Sequence, residues 1–211
     1  MNSSPLPCQP LLDQADQWFD RARASLLGAL PCGRGCSRCC IGPFAITVLD
    51  ADALEAGLAT LPPETRADVQ AREQQQAAAM EQVYPQLKRS PFLMDWDDDD
   101  LDRLADQFAD LPCPALDSDG SCRVYAFRPL TCRTMGIPVE EDGLVQGACE
   151  VQISTPLIKL SSILRMQEND LAAREVRALQ TRRDARKPAG VAGDEILLQY
   201  GFLSRTLNED R

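Results

Sequence analysis

Histidine is absent from this 211-residue chain. That one absence removes Ser-His-Asp and Cys-His catalysis, His-ligated zinc, haem held by His, and Rieske clusters. Aromatic residues are scarce, at 5%, so a core has to be built mostly from Leu, Val and Ala. No run of eighteen apolar residues occurs, which excludes a membrane-spanning helix. Positive charge is in deficit: 22 Lys and Arg stand against 32 Asp and Glu, a formal net charge of −10. A nucleic-acid binder needs a basic face to neutralise phosphates, so no nucleic-acid partner is expected. The opening Met1-Asn2-Ser3-Ser4-Pro5 has neither a basic region nor an apolar stretch. It predicts no secretory signal, and hence a cytoplasmic protein with no membrane partner.

Cysteine is what the chain does have. Nine occur, at positions 8, 32, 36, 39, 40, 113, 122, 132 and 149. In a reducing compartment disulfides rarely persist, and clustered thiols there are more often metal ligands or redox groups. Cys8 sits in a proline-rich start with no partner nearby and reads as a bystander.

Residues 1–10 read as a flexible tail. Leu12, Ala15, Phe19, Ala22, Leu26 and Leu30 recur at three and four, predicting a helix from Leu11 to Leu30 that Pro31 stops. Phe44 to Val48 reads as a short strand, followed by a brief helix capped by Asp50 or Asp52 and reaching about Ala59. A longer helix opens at Thr60-Leu61-Pro62-Pro63-Glu64 and runs to about Leu87, with the polar stretch Gln70 to Gln76 facing water. Asp97 to Ala109 is the clearest short helix, its first aspartates at the positive end of the dipole. Residues 111–150 read as turns with one or two short strands, such as Arg123 to Phe127. A helix from Thr155-Pro156 to about Lys187, with a break or restart at Asn169-Asp170, and a last helix from Gly193 to Leu207 complete the reading.

The cysteines fall into two groups. Four lie within nine residues, in Cys32-Gly-Arg-Gly-Cys36-Ser-Arg-Cys39-Cys40; four are spread over Cys113, Cys122, Cys132 and Cys149. Four and four suit either two four-ligand sites or one site with spare thiols. A soft all-thiolate set selects zinc or an iron–sulfur cluster over hard metals. Adjacent residues in extended backbone point to opposite sides, so Cys39 and Cys40 fit a multi-iron cluster better than one small ion. Cys36-Ser-Arg-Cys39 alone would also suit a dithiol redox pair, but no thioredoxin-like pattern surrounds it. Asp119-Gly120 is a turn signal that would bring Cys113 and Cys122 back together. Arg128 and Arg133 flank Cys132, where guanidinium donors would offset the charge of an all-thiolate centre and contact the cofactor. The aspartates at 95, 97–100 and 102 lack the alternating pattern of a calcium loop and read as a solvated helix start. The basic stretch from Arg174 to Lys187 reads as an exposed helix face.

Cys32, Cys36 and Cys39-Cys40, followed by Cys113-Pro-Ala-Leu, Gly120-Ser-Cys122, Tyr125, Arg128-Pro129 and Cys132-Arg133, resemble the YkgJ-type cysteine-cluster family. That resemblance covers roughly residues 30 to 150. It implies a zinc- or iron-chelating CxxCxxCC domain, in a family also grouped with iron–sulfur proteins. One departure is visible. Three residues separate Cys32 from Cys36 where the family pattern has two, which ranks Cys36 ahead of Cys32 as a ligand. Flagellin lysine N-methylases carry a similar cysteine domain, but no Gly-rich nucleotide loop follows a strand in this chain.

These observations predict a mainly α protein. Its helices pack around a loop-rich, cysteine-lined metal site, with at most a few short strands. The expected organisation is the tail, a metal-binding domain over 11–150, and a C-terminal helical extension over 151–211 packed on it. The candidate ligands are Cys32, Cys36, Cys39, Cys40, Cys113, Cys122, Cys132 and Cys149, with Arg128 and Arg133 beside the cofactor. That cofactor is expected to be an iron–sulfur cluster of the 4Fe–4S type, with zinc as the alternative. The role expected is redox or electron transfer with a redox or protein partner; the alternatives are a structural zinc module and a transferase.

Overall fold

The computed structural model of the chain describes residues 9–26, 32, 35–141, 144–146, 159–185 and 193–202. Among the described residues it is mainly helical. Helix α1, Gln9–Ser25, turns Leu12, Ala15, Trp18 and Ala22 inward, the three-and-four spacing of an amphipathic helix. Helix α2, Val48–Thr60, begins with a capping box: Asp50 N donates to Thr47 Oγ1, and Thr47 N donates to Asp50 Oδ2 at 3.2 Å. Asp50 therefore acts from inside the first turn, and the helix starts earlier than a cap at Asp50 would place it. Helix α3, Pro63–Val83, has proline at its first position, where a missing N–H costs nothing. Most of its polar middle is on the surface, but Glu73 and Gln76 turn inward. Helix α4, Asp98–Gln107, is capped by Asp97, whose Oδ1 accepts from Asp100 N at 2.7 Å.

Helix α5 is a single turn, Leu130–Thr134. Pro129 stands immediately before it as the N-cap residue, where the missing N–H breaks no helical hydrogen bond. Helix α6, Ser162–Ala185, runs unbroken through Asn169-Asp170. Arg123 to Phe127 is not a strand: a turn leads into a 3₁₀ segment at Tyr125–Phe127. Gly57 of α2 lets this segment approach, since a Cβ there would lie 2.8 Å from Phe127 Cβ.

The described strands are short. β1, Ala45–Thr47, pairs antiparallel with β4, Glu195–Leu197, placing Ile46 opposite Ile196. β2, Val139–Glu141, pairs antiparallel with β3, Leu144–Gln146. The helix expected from Gly193 is replaced by β4 and a 3₁₀ segment, Leu198–Phe202. Ile196, Leu197, Leu198, Tyr200 and Phe202 are all buried. A short continuous apolar run does not distinguish strand from helix by periodicity, and the partner strand decides.

Two apolar clusters result. One joins α2 and α3 to β1, β4 and the last 3₁₀ segment, through Ile46, Leu54, Met80 and Phe202. The other joins α1, α5 and α6, through Trp18, Leu130 and Leu164. No described helix is long and apolar enough to cross a membrane.

Candidate metal centre

The two cysteine stretches meet backbone to backbone. Cys113 N donates to Cys40 O at 2.7 Å and Gly42 N to Leu111 O at 2.7 Å, with Ile41 bridged to Pro112. The first stretch turns at a 3₁₀ segment, Arg38–Cys40, closed by Cys40 N donating to Ser37 O. Successive side chains in 3₁₀ geometry are about 120° apart rather than opposed. Cys39 and Cys40 therefore both border one cavity.

The second stretch reverses at Asp117–Gly120, as Asp119-Gly120 suggested. Gly120 has φ +81 and its N–H donates to Asp117 O. A Cβ on it would stand 3.3 Å from Gly35 O, so glycine also admits the first stretch. Leu116 bridges to Cys122 below this turn, bringing Cys122 back beside Cys113. Arg123 braces the turn through Asp117 and Asp68. The chain then passes Tyr125 and Arg128 to α5, which carries Cys132. Asp50 Oδ1 accepts from Leu130 N at 2.8 Å, tying the start of α5 to the start of α2.

The outcome is one cavity walled by seven thiols: Cys32, Cys36, Cys39, Cys40, Cys113, Cys122 and Cys132. No disulfide joins any of these seven to another. Cys149 and Cys8 lie outside the described residues. The wall is completed by apolar side chains, among them Phe19, Phe44, Leu54, Val124, Leu198 and Phe202. Phe19, Leu198 and Phe202 come from far outside the two cysteine stretches.

The space open to the centres of water-sized spheres is about 80 Å³. One water needs about 10–15 Å³ on that measure, so the cavity admits a guest of several atoms. Among the described residues, no three Cys, Asp or Glu side chains close on a point as the shell of a single ion. The thiols share a wall without converging on one spot.

Their protonation follows from burial and from each other. Cys40 shares a thiol hydrogen bond with Cys39, which pulls Cys39 down to about 7 and pushes Cys40 up. The Arg128 charge also favours the Cys39 thiolate, against the cost of burial. Burial pushes Cys113 up to about 12 and raises Cys122 and Cys132 as well. A metal cation would reverse these shifts, since it depresses the pKa of a coordinating thiol.

The two arginines part company. Arg128 lines the cavity, its guanidinium carbon 4.0 Å from the centroid of the Tyr125 ring. Its Nε is buried and has no hydrogen-bond partner. An unsatisfied buried donor at a wall of thiols suits a guest that brings negative charge, as thiolate or sulfide does. Arg133 turns away from the cavity. Its guanidinium donates to Arg128 O at 2.9 Å, to Ala126 O at 2.7 Å and to Asp16, and its side chain is 1% exposed. The sequence offered no local sign of Asp16, which also accepts from Arg128 at 3.1 Å.

The donor set, the room and the unsatisfied Arg128 donor fit a thiolate-held metal group. No curated protein and no solved structure matches the chain. Residues 31–150 match the CxxCxxCC family, described as a “putative zinc- or iron-chelating domain”, and the chain belongs to that zinc- or iron-chelating family.

Proposed function

We propose that the seven-thiol cavity holds an iron–sulfur cluster and that the protein serves in electron transfer or redox sensing. One observation carries the reading: thiols from two separate cysteine stretches wall a single cavity with room for several atoms. Four of the thiols would hold the cluster, with Cys36, Cys39, Cys113, Cys122 and Cys132 among the candidates. When bound, the cluster supplies a one-electron couple. Arg128 would lower the cost of its negative charge, and the apolar wall of Phe19, Phe44, Leu198 and Phe202 would keep water away. Cys32 and the remaining thiols stand beside it, and Cys149 remains a candidate of the same group.

Zinc is the second reading, favoured by the same soft donor set. Anaerobic purification followed by iron, zinc and acid-labile sulfide analysis, with an optical spectrum, separates the two. Iron and sulfide together with broad visible absorption support the cluster. A colourless protein with stoichiometric zinc overturns it in favour of a structural site.

A further inference from the structure

Helix α1 lies before residue 31, where the family match begins. It nevertheless serves the cysteine cavity from two positions. Phe19 forms part of the wall. Asp16 is three residues earlier and so shares its face of the helix. Its Oδ1 accepts from Arg128 Nη2 at 3.1 Å, and its Oδ2 accepts from Arg133 Nη1.

The arrangement leaves Arg128 little freedom. Its guanidinium stacks on Tyr125, and Asp16 holds one end. Arg133, itself gripped by Asp16, ties the Ala126 and Arg128 carbonyls back onto α5. A planar guanidinium fixed at one nitrogen and across one face has a single orientation left. In that orientation its Nε is buried and unsatisfied, and the side chain lines the cavity together with Cys39 and Cys122.

We infer that Asp16 is a positioning residue of the metal centre, acting through Arg128: it holds the guanidinium against the thiol wall, so that α1 is a working part of the site. The inference rests on the thiolate-held centre proposed above, and adds to it a residue outside the family region.

The test uses the full chain as wild type, Asp16→Asn, Asp16→Glu, Arg128→Gln and the Asp16→Asn/Arg128→Gln double variant. The metal-free reduced proteins are alkylated with iodoacetamide, and the rate at each cysteine is read by mass spectrometry. The same proteins are loaded with cobalt(II), and the thiolate charge-transfer spectrum and the rate of loss to a chelator are recorded. Asp16→Asn is expected to change alkylation at Cys39 and Cys122 several-fold and to speed cobalt loss several-fold. Asp16→Glu restores both, and Asp16→Asn adds nothing once Arg128 is Gln. Wild-type behaviour in Asp16→Asn, or an equal added effect in the Arg128→Gln background, overturns the inference. A wild-type chain that takes up no cobalt overturns the metal reading instead, and the alkylation rates then decide on Asp16 alone.

Discussion

The amide of Cys113 donates to the carbonyl of Cys40 at 2.7 Å, so the first and second cysteine stretches are stitched together at the edge of the cavity both line. That stitch makes metal content a property of both stretches at once. Cys36→Ser, Cys122→Ser and Cys132→Ser should each lose most of the bound metal, and part of the stability with it, because binding free energy is also folding free energy. Cys8→Ser should retain metal at the wild-type ratio. Plasma emission analysis of the purified variants reads the result, and full metal content in all three site variants would refute the assignment.

Metal uptake should strengthen as pH rises. Burial pushes Cys113 up to about 12 and raises Cys122 and Cys132, while Cys39 stands at about 7. Each ligating thiol must release its proton, so binding releases protons and weakens toward acid. Competition titrations against a zinc chelator should give an apparent affinity that already falls as pH is lowered toward neutrality, where Cys113, Cys122 and Cys132 hold protons, and falls more steeply below about pH 7, where Cys39 takes one up too. An affinity flat with pH would mean that the ligands are not these thiols.

How much of this was legible beforehand follows from the range of each signal. The helix start at Asp97, the Asp119-Gly120 turn and the helical period of α1 are local, and they show in the sequence; the cap of α2 does not, since Thr47 reads as strand and the sequence points to Asp50 or Asp52 instead. Asp16 is different. It lies among polar residues of an ordinary helix, and its partners Arg128 and Arg133 are 112 and 117 positions away. Nothing within reach of a local pattern marks it. β4 is hidden for a related reason: three residues long, it exists because β1 is there to pair with it. Leu198 and Phe202 consequently reach the cavity wall from a segment whose spacing reads as helix. The 3₁₀ turn at Arg38–Cys40 is also a tertiary outcome, and it is what turns two adjacent cysteines to one side.

Arg133 and Arg182 should separate stability from metal chemistry. Arg133→Ala leaves the Ala126 and Arg128 carbonyls without their donor and should cost about 3 kcal/mol. Arg182 pairs with Asp52 nearer the surface, and Arg182→Ala should cost roughly 1 kcal/mol or less with metal content unchanged. Urea denaturation measures both. Equal losses in the two variants would remove the bracing role of Arg133.

Glu73 gives the fold itself a pH dependence. Its side chain is fully buried, both carboxylate oxygens lack partners, and burial pushes its pKa up to about 8. The folded chain thus holds a proton there that the unfolded chain, with an ordinary glutamate at 4.5, gives up. The contribution is fully present below about 4.5 and is lost as pH rises through about 8. Glu73→Gln should flatten that decline and, above the upper limit, exceed the wild type by about 1–3 kcal/mol. Denaturation curves at several pH values check it, and parallel pH profiles for the two proteins would show that Glu73 titrates normally.

X-ray absorption at the metal edge of the anaerobically loaded protein bears most directly on the thiol-walled cavity as a metal centre. The account predicts a first shell made only of sulfur, with an additional metal–metal scatterer when the guest is an iron–sulfur cluster. A shell of nitrogen and oxygen, or a chain that retains no metal while its cysteines pair as disulfides, would contradict it.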